Sequence, residues 1–358
     1  MALENIEWLD PLVDRGRNRD LEKYAKRVSG SVPPHVPYLA ACPWILRADL
    51  HFDTAMAEIQ DLADNIYLVV SRDNSCRWCY GASRLLLRVA GMSNAQIEKV
   101  EEDVELSRVE PRLRDALEFA RRVSRSNPAP DRESIQVLRD LGFSEAAIKE
   151  LALFAAVVVF HNRFATLLAL PVSTTERLAS SPFARLLRFF PWGKLGTVLR
   201  AQPRVTAAAA ADDEGPFADL TRALGDLPHA RVLRDTLDGA WASPILPART
   251  RALIFAVIAR GLENGPAEAE ARRLLAEEGL EFPLVDDILA NLASPELDAR
   301  ESRILPYVRE TIWYQPAPVQ RRGKALREVL TNAELLDTVG TAALANMVGR
   351  VSLALEVM

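Results

Sequence analysis

The feature that most constrains the fold is a repetition of the sequence at an interval of 188 residues. Ile254 stands 188 residues after Ile66, and Gly279 stands 188 residues after Gly91. The same shift aligns further identical residues: Val69 with Val257, Arg72 with Arg260, Leu86 and Leu87 with Leu274 and Leu275, the triplet PAP at 128–130 with that at 316–318, Leu138 and Arg139 with Leu326 and Arg327, and, after one deleted residue, Arg163 with Arg350. A register kept over so long a stretch predicts a tandem duplication. We expect an N-terminal domain at 1–180 and a C-terminal copy at 181–358, joined by a linker within 172–230.

The repeated unit is predicted to be helical. Alternating β-branched residues bounded by turn residues are scarce, whereas apolar residues recur with the period of a helix. The predicted helical segments are Thr54–Val70, Cys76–Ala90, Asn94–Val104, Arg112–Ser124, Arg132–Leu141, Ser144–Leu168, Pro247–Arg260, Pro266–Glu278, Glu301–Thr311, Val319–Leu330 and Asn332–Val357. The most apolar stretch, Leu151–Phe160, is too short for a membrane span and is expected to lie in a buried helix. The predicted fold class is all-α, with two tandem helical domains.

Composition and charge narrow the functional classes. Hydrophobic residues make up 49% of the chain and charged residues 26%, which is ordinary for a globular protein. The net charge of −5 does not favour binding to nucleic acid or to a membrane. Three cysteines are too few for a structural disulfide framework in 358 residues, and the N-terminal MALENIEWLDPLVDRG lacks the pattern of a secretory signal. We therefore expect a cytoplasmic protein.

The motif with the clearest chemical meaning is a Cys-x-x-Cys in SCRWCYGAS, residues 75–83. With Ser75 as the predicted N-cap, Cys76 and Cys79 lie in the first turn of a helix, close enough to bridge. The partial positive charge of the helix N-terminus favours a thiolate, and three arginines at 72, 77 and 84 add to it. The second copy has Asn264 and Ala267 at the equivalent positions, so dithiol chemistry belongs to the first half.

The residues alone leave three interpretations of this motif open. A redox dithiol would pass through a sulfenic acid to an intramolecular disulfide. Alternatively, the thiols are inert core residues or the remains of a lost site. A metal site would need two more ligands, for which only Cys42, His35 and His51 are near in sequence.

The segment from Asp64 to Gly91, DNIYLVVSRDNSCRWCYGASRLLLRVAG, resembles the active-site segment of the alkylhydroperoxidase D-like, or carboxymuconolactone decarboxylase, family. The later stretch GFSEAAIKEL, residues 142–151, looks like the continuation in its peroxidase-related members. The resemblance covers about residues 35–175 and, more weakly, the second copy. It implies a helical fold and a thiol-dependent peroxidase.

The redox members of that family carry Glu, eleven residues, Cys-x-x-Cys, three residues and His, and the acid and histidine relay a proton for the second cysteine. The matching positions here are Asp64, Cys76, Cys79 and Ser83. Serine cannot accept a proton usefully near neutral pH, so we expect slower peroxide turnover than the family pattern supports. His161 could substitute as the base or be a hydrogen-bonded core residue. Asp64 could equally be a solvated acid.

The resemblance further implies an organic hydroperoxide as substrate, a lipoyl or thioredoxin-like dithiol protein as reductant, no metal and no bound organic cofactor. A homodimer of two-domain chains is expected. Cys42 is expected to be a buried thiol rather than a third redox partner. Two other functions stay open: a scaffold or partner-binding protein without catalysis, and the lactone-acid decarboxylase branch of the family, which does not need the dithiol.

Overall fold

The computed structural model describes residues 9–30, 32–52, 56–101, 109–171, 214–281, 283–313 and 315–358. Within these ranges the chain forms helices and no strand, which confirms the all-α class. The first half contains α1 (Arg19–Ser29), α2 (Val36–Leu39), α3 (Pro43–Phe52), α4 (Ala63–Asp73), α5 (Arg77–Val89), α6 (Asn94–Glu101), α7 (Pro111–Arg125), α8 (Arg132–Asp140) and α9 (Glu145–Leu167). The second half contains α10 (Ala218–Leu224), α11 (Pro228–Trp241), α12 (Ala248–Gly261), α13 (Gly265–Glu277), α14 (Leu284–Asn291), α15 (Glu301–Glu310), α16 (Pro316–Leu326) and α17 (Asn332–Leu355).

The two longest helices, α9 and α17, pack against each other at the centre of the molecule. Each begins at a hydroxyl N-cap, Ser144 or Thr331, whose side chain accepts a backbone N–H of the first turn. In the first half, α4 and α5 also pack on α9. In the second half, α12 and α13 pack on α17 in the same way. Helices α4–α9 and α12–α17 thus follow one order, and the tandem duplication itself stays a prediction.

The central helices are apolar on all sides because they are enclosed by the rest of the protein. The stretch Leu151–Phe160 lies in α9 and is fully buried, as expected. The complete helices, Glu145–Leu167 and Asn332–Leu355, are long and apolar enough by composition to cross a membrane. Their most apolar windows are 100% and 89% buried inside the protein, which is typical of core helices.

The predicted helix Thr54–Val70 is wrong at its start, because α4 begins at Ala63. Residues 56–62 form a loop instead, and the buried carboxylate of Glu150 on α9 accepts the backbone N–H groups of Ala57, Glu58 and Ile59. A buried acceptor of this kind offers the backbone an alternative to helical hydrogen bonds.

Sequence periodicity also missed six of the described helices, namely α1, α2, α3, α10, α11 and α14. Most of the predicted linker, including FARLLRFF at 183–190, lies outside the described residues. Within the described part of that range, α10 and the start of α11 occupy most of 214–230.

Candidate functional site

The turn between α4 and α5 places the cysteine pair. Ser75 adopts the left-handed conformation, with φ of 52°, and the N–H of Cys76 donates to the carbonyl of Ser71 at 2.9 Å. This is the usual hydrogen-bonded end of a helix, so Ser75 is not the N-cap that the sequence suggested. Cys76 is the N-cap, and its Sγ accepts the backbone N–H of Cys79 at 3.3 Å. The helix N-terminus therefore acts directly on one sulfur.

Cys76 and Cys79 are joined by a disulfide, with Cα atoms 5.4 Å apart. Both side chains have an exposed fraction of 0%. The sulfur atoms that a metal site would have used are bonded to each other. An oxidant or a reductant can reach them only when the side chains around them move.

Ser83 lies one turn after Cys79 on α5 and is buried. Its hydroxyl donates to the carbonyl of Cys79 at 2.9 Å, a local contact within the helix. Ser83 is thus beside the pair, as its position in the motif requires, but its proton is directed at its own backbone.

Asp64 occupies the first turn of α4 and is half-buried. The nine residue-to-residue steps from Asp64 to Asp73 correspond to about 13 Å of helix, whereas Cys76 follows the other end of α4. A role for Asp64 in proton transfer therefore needs an intermediate group between its carboxylate and the sulfur atoms.

His161, the other predicted site residue, belongs to a buried polar cluster built from four elements. Its Nδ1 lies 3.2 Å from the hydroxyl of Tyr67 on α4, and its Nε2 lies 3.7 Å from Oδ1 of Asp49 on α3. The other carboxylate oxygen of Asp49 accepts a hydrogen bond from Nε2 of His35 at 2.7 Å. The exposed fractions of His35, Asp49 and His161 are 7%, 6% and 1%. We call these four residues the His–Asp cluster.

The charges of the His–Asp cluster follow from burial. Burial lowers the pKa of His161 to about 4 despite the nearby Asp49 carboxylate, so this imidazole is neutral near pH 7. For Asp49, burial raises the pKa, but the contacts with His35 and then His161 outweigh it and hold the pKa below its usual value. Asp49 is therefore a buried carboxylate flanked by two imidazoles.

Trp78 connects the His–Asp cluster to the cysteine pair. It is the residue immediately before Cys79, and its ring meets the ring of His35 edge to face, with centroids 5.2 Å apart and planes at 89°. Sequence reasoning considered His35 only as a metal ligand and missed Asp49. No local spacing could have shown the cluster, because its members are remote in sequence and meet only in the folded protein.

A second polar network is built around Tyr80, the residue of α5 that follows Cys79. The hydroxyl of Tyr80 donates to Oε1 of Glu101 at 2.8 Å, and Arg84 donates to the same hydroxyl at 2.9 Å. Burial and the contact with Glu101 raise the pKa of Tyr80 to about 12. Arg84 also pairs with Glu101 at 3.4 Å, so one of the three arginines expected near the thiols is directed to this acid.

The residues considered as extra metal ligands lie in separate contacts. Cys42 is a free, buried thiol, as expected, and its Sγ faces Oδ1 of Asp337 at 3.7 Å. Burial and that acid raise its pKa far above the usual range. His51 bonds to Tyr24, whereas His35 bonds to Asp49. Across the described ranges, no group of three or more His, Cys, Asp or Glu side chains could hold a metal ion.

Comparison with known proteins gives little. No family model matches the chain, and no curated protein matches it. One solved structure is similar, described as an alkylhydroperoxidase AhpD core, an uncharacterized peroxidase-related protein from Ralstonia eutropha JMP134. It is 20% identical, with a TM-score of 0.39, and the match covers 46% of this chain and 92% of that one. The all-α class of this chain rests on its own helices.

Proposed function

We propose that this protein is a thiol-dependent peroxidase in which Cys76 and Cys79 alternate between a dithiol and a disulfide. The observation that carries the proposal is the pair itself, oxidised at the start of α5, with one sulfur held by a helix-capping N–H. The same N–H stabilises negative charge on the Cys76 sulfur in the reduced state. This arrangement supplies a nucleophile and a resolving thiol within one turn.

The proposed cycle balances with a hydroperoxide as oxidant and a dithiol protein as reductant. One thiolate attacks a peroxide oxygen, so that an S–O bond forms, the O–O bond breaks and the alkoxide leaves as an alcohol after taking up a proton. The second thiol then attacks the sulfenic sulfur, forming the disulfide and releasing water. A lipoyl or thioredoxin-like dithiol returns the pair to the reduced state by thiol–disulfide exchange. Such donors fit a cytoplasmic protein, which is part of the proposal, as is a homodimer.

A purely structural purpose for this disulfide has weak energetic support. The bridge closes a loop of only four residues, for which the chain-entropy model gives about 2 kcal/mol. That gain is small compared with the stabilisation available from the extensive core around α9 and α17. The placement at a helix N-terminus is better accounted for by thiolate chemistry.

The complete burial of both cysteines favours one alternative, a scaffold protein with an inert disulfide. The two functions differ in what reaches the sulfur atoms. In the peroxidase, the side chains over the pair open often enough for a small hydroperoxide and a dithiol to enter. In the scaffold, the native disulfide resists dithiols until the protein unfolds.

The deciding experiment begins with fully reduced protein, freed of reductant and mixed with one equivalent of cumene hydroperoxide. We expect one Cys76–Cys79 disulfide and one cumyl alcohol per chain, measured by alkylation, peptide mass spectrometry and chromatography. Cys76→Ser and Cys79→Ser should each abolish the disulfide, and Cys79→Ser should also lose turnover with a dithiol. Cys42→Ser is the matched control, because that thiol is buried and lies outside the pair. Unchanged hydroperoxide beside a folded, reduced protein would contradict the peroxidase and favour the scaffold.

A further inference from the structure

Dithiol chemistry at the pair is faster when a positioned group accepts the proton of the attacking thiol. The hydroxyl of Ser83 donates to a backbone carbonyl and has little basicity near neutral pH. Glu101 is already engaged by Tyr80 and Arg84. The His–Asp cluster, by contrast, holds an imidazole, His35, in contact with Trp78 next to Cys79.

His35 has the geometry of an imidazole held for proton transfer. A carboxylate only accepts hydrogen bonds, so the contact of 2.7 Å with Asp49 places a proton on Nε2. In the neutral ring the lone pair is then on Nδ1. This Nδ1 is buried and has no hydrogen-bond partner among the residues that the structure describes. An acid that fixes one nitrogen and leaves the other available is the arrangement that orients a general base.

The ring of His35 also lies close to the cysteine pair. It contacts the ring of Trp78, a residue that lies between the two cysteines in sequence. His161 lies near the other carboxylate oxygen of Asp49, and Tyr67 contacts His161. We propose that His35, oriented by Asp49, is the proton acceptor of the Cys76–Cys79 pair. This rests on the proposed function, and it assigns the proton to a residue outside the Cys-x-x-Cys helix.

The proton would follow a closed path. Nδ1 of His35 takes the proton of the attacking thiol, and the resulting thiolate attacks the peroxide oxygen. As the O–O bond breaks, the imidazolium returns that proton to the leaving alkoxide. Asp49 stabilises the transient imidazolium and stays ionised throughout. In reduction of the disulfide, the same nitrogen takes the proton of the incoming dithiol.

The test measures the rate of disulfide formation with cumene hydroperoxide as a function of pH. His35→Gln should lower the rate at pH 7 by about 100-fold, the low end of general-base effects. The wild-type rate should depend little on pH between pH 7 and pH 8, because His35 supplies the base. In His35→Gln the rate should rise about tenfold per pH unit over the same range, because only thiolate formed by hydroxide reacts. His51→Gln, on the same helix as Asp49 but outside the cluster, should match the wild type.

A second variant separates the proton role from folding. Asp49→Asn keeps the shape of the side chain, but its amide can donate to Nε2, which moves the ring proton to Nδ1. We expect a loss comparable to that of His35→Gln, with an unchanged circular dichroism spectrum. Wild-type rates and pH profiles in both variants would overturn the assignment. A loss in His161→Gln together with none in His35→Gln would overturn it as well.

Reduction of the disulfide by dithiothreitol distinguishes a failure of the proposed peroxidase function from a failure of the assignment of His35. The rate at which dithiothreitol reduces the Cys76–Cys79 disulfide does not depend on peroxide. If the wild type ignores hydroperoxide but its reduction by dithiothreitol is slowed by His35→Gln, the proton acceptor stands and the peroxidase does not. If reduction is equally fast in both proteins, the assignment of His35 is wrong.

Discussion

The turn that leads into Cys76 and the turn that leads into Asn264 have the same backbone conformation and different chemistry. Ser75 and Glu263 are both left-handed, with φ of 52° and 56°. In each turn, that residue and the next donate backbone N–H groups to the end of the preceding helix. The next helix then begins with a side chain that caps it, Cys76 for α5 and Asn264 for α13.

The two caps differ in strength. Oδ1 of Asn264 accepts the N–H of Ala267 at 2.9 Å, and its Nδ2 donates to the carbonyl of Gly349 on α17 at 2.7 Å. Sulfur is a weak acceptor, and Cys76 receives one N–H at 3.3 Å. Asparagine is among the preferred N-caps. The first half therefore has the weaker cap at the place where it has the thiols.

The same contrast extends to the His–Asp cluster. The residue 188 positions after Asp49 is Leu237, and the residue 187 positions after His161, past the deletion, is Val348. Both are fully buried. At these two offsets, buried apolar residues of the second half thus stand where the first half has Asp49 and His161.

The largest effect on stability is expected at Asp337, which joins the two halves. Its Oδ2 accepts from Arg251 at 2.5 Å, its Oδ1 accepts from Trp44 of the first half at 2.8 Å, and both Asp337 and Arg251 are fully buried. Asp337→Ala would leave a buried guanidinium without its carboxylate. We expect the free energy of unfolding to fall by about 3–5 kcal/mol, measured by urea denaturation.

The control for this prediction removes both charges. The double variant Asp337→Leu with Arg251→Met should recover most of the loss, because no uncompensated charge stays buried. A double variant as unstable as Asp337→Ala would mean that the hydrogen bonds to Trp44 and to the Leu246 N–H, and not the ion pair, dominate.

The second-largest effect is a loss of stability at acid pH. Its test introduces at position 161 the residue found at the aligned position of the second half. Burial lowers the pKa of His161 from 6.5 to about 4, so the unfolded chain binds a proton that the folded chain does not. Stability from this residue is therefore lost as the pH falls from 6.5 toward 4, by up to about 3 kcal/mol. His161→Val, the residue of the second half, should flatten the decline in unfolding free energy between pH 7 and pH 4.5. Tyr67→Phe, which removes the contact but keeps the buried imidazole, should retain the wild-type decline.

The sequence was sufficient for the helical class and for the location of the cysteine pair, because both depend on local pattern. Helical spacing predicted α5 and α9, and the 188-residue shift aligned Cys76 with Asn264. The sequence pattern failed where a tertiary contact determines the backbone conformation. The contact with Glu150, for example, keeps residues 56–62 out of a helix. The pattern also failed for His35 and Asp49, which lie fourteen residues apart with no motif between them.

The smallest effect exchanges the two caps. Asn264→Ala should cost about 1–2 kcal/mol, since the cap of α13 and the bond to Gly349 are both lost. Cys76→Asn, compared with the reduced wild type, should gain about 0.5–1 kcal/mol, because an amide oxygen caps α5 better than sulfur does. Thermal unfolding of the reduced proteins measures both changes. A less stable Cys76→Asn would show that the thiol is held for its packing in the core, and the contrast between the two turns would then be one of shape rather than of redox chemistry.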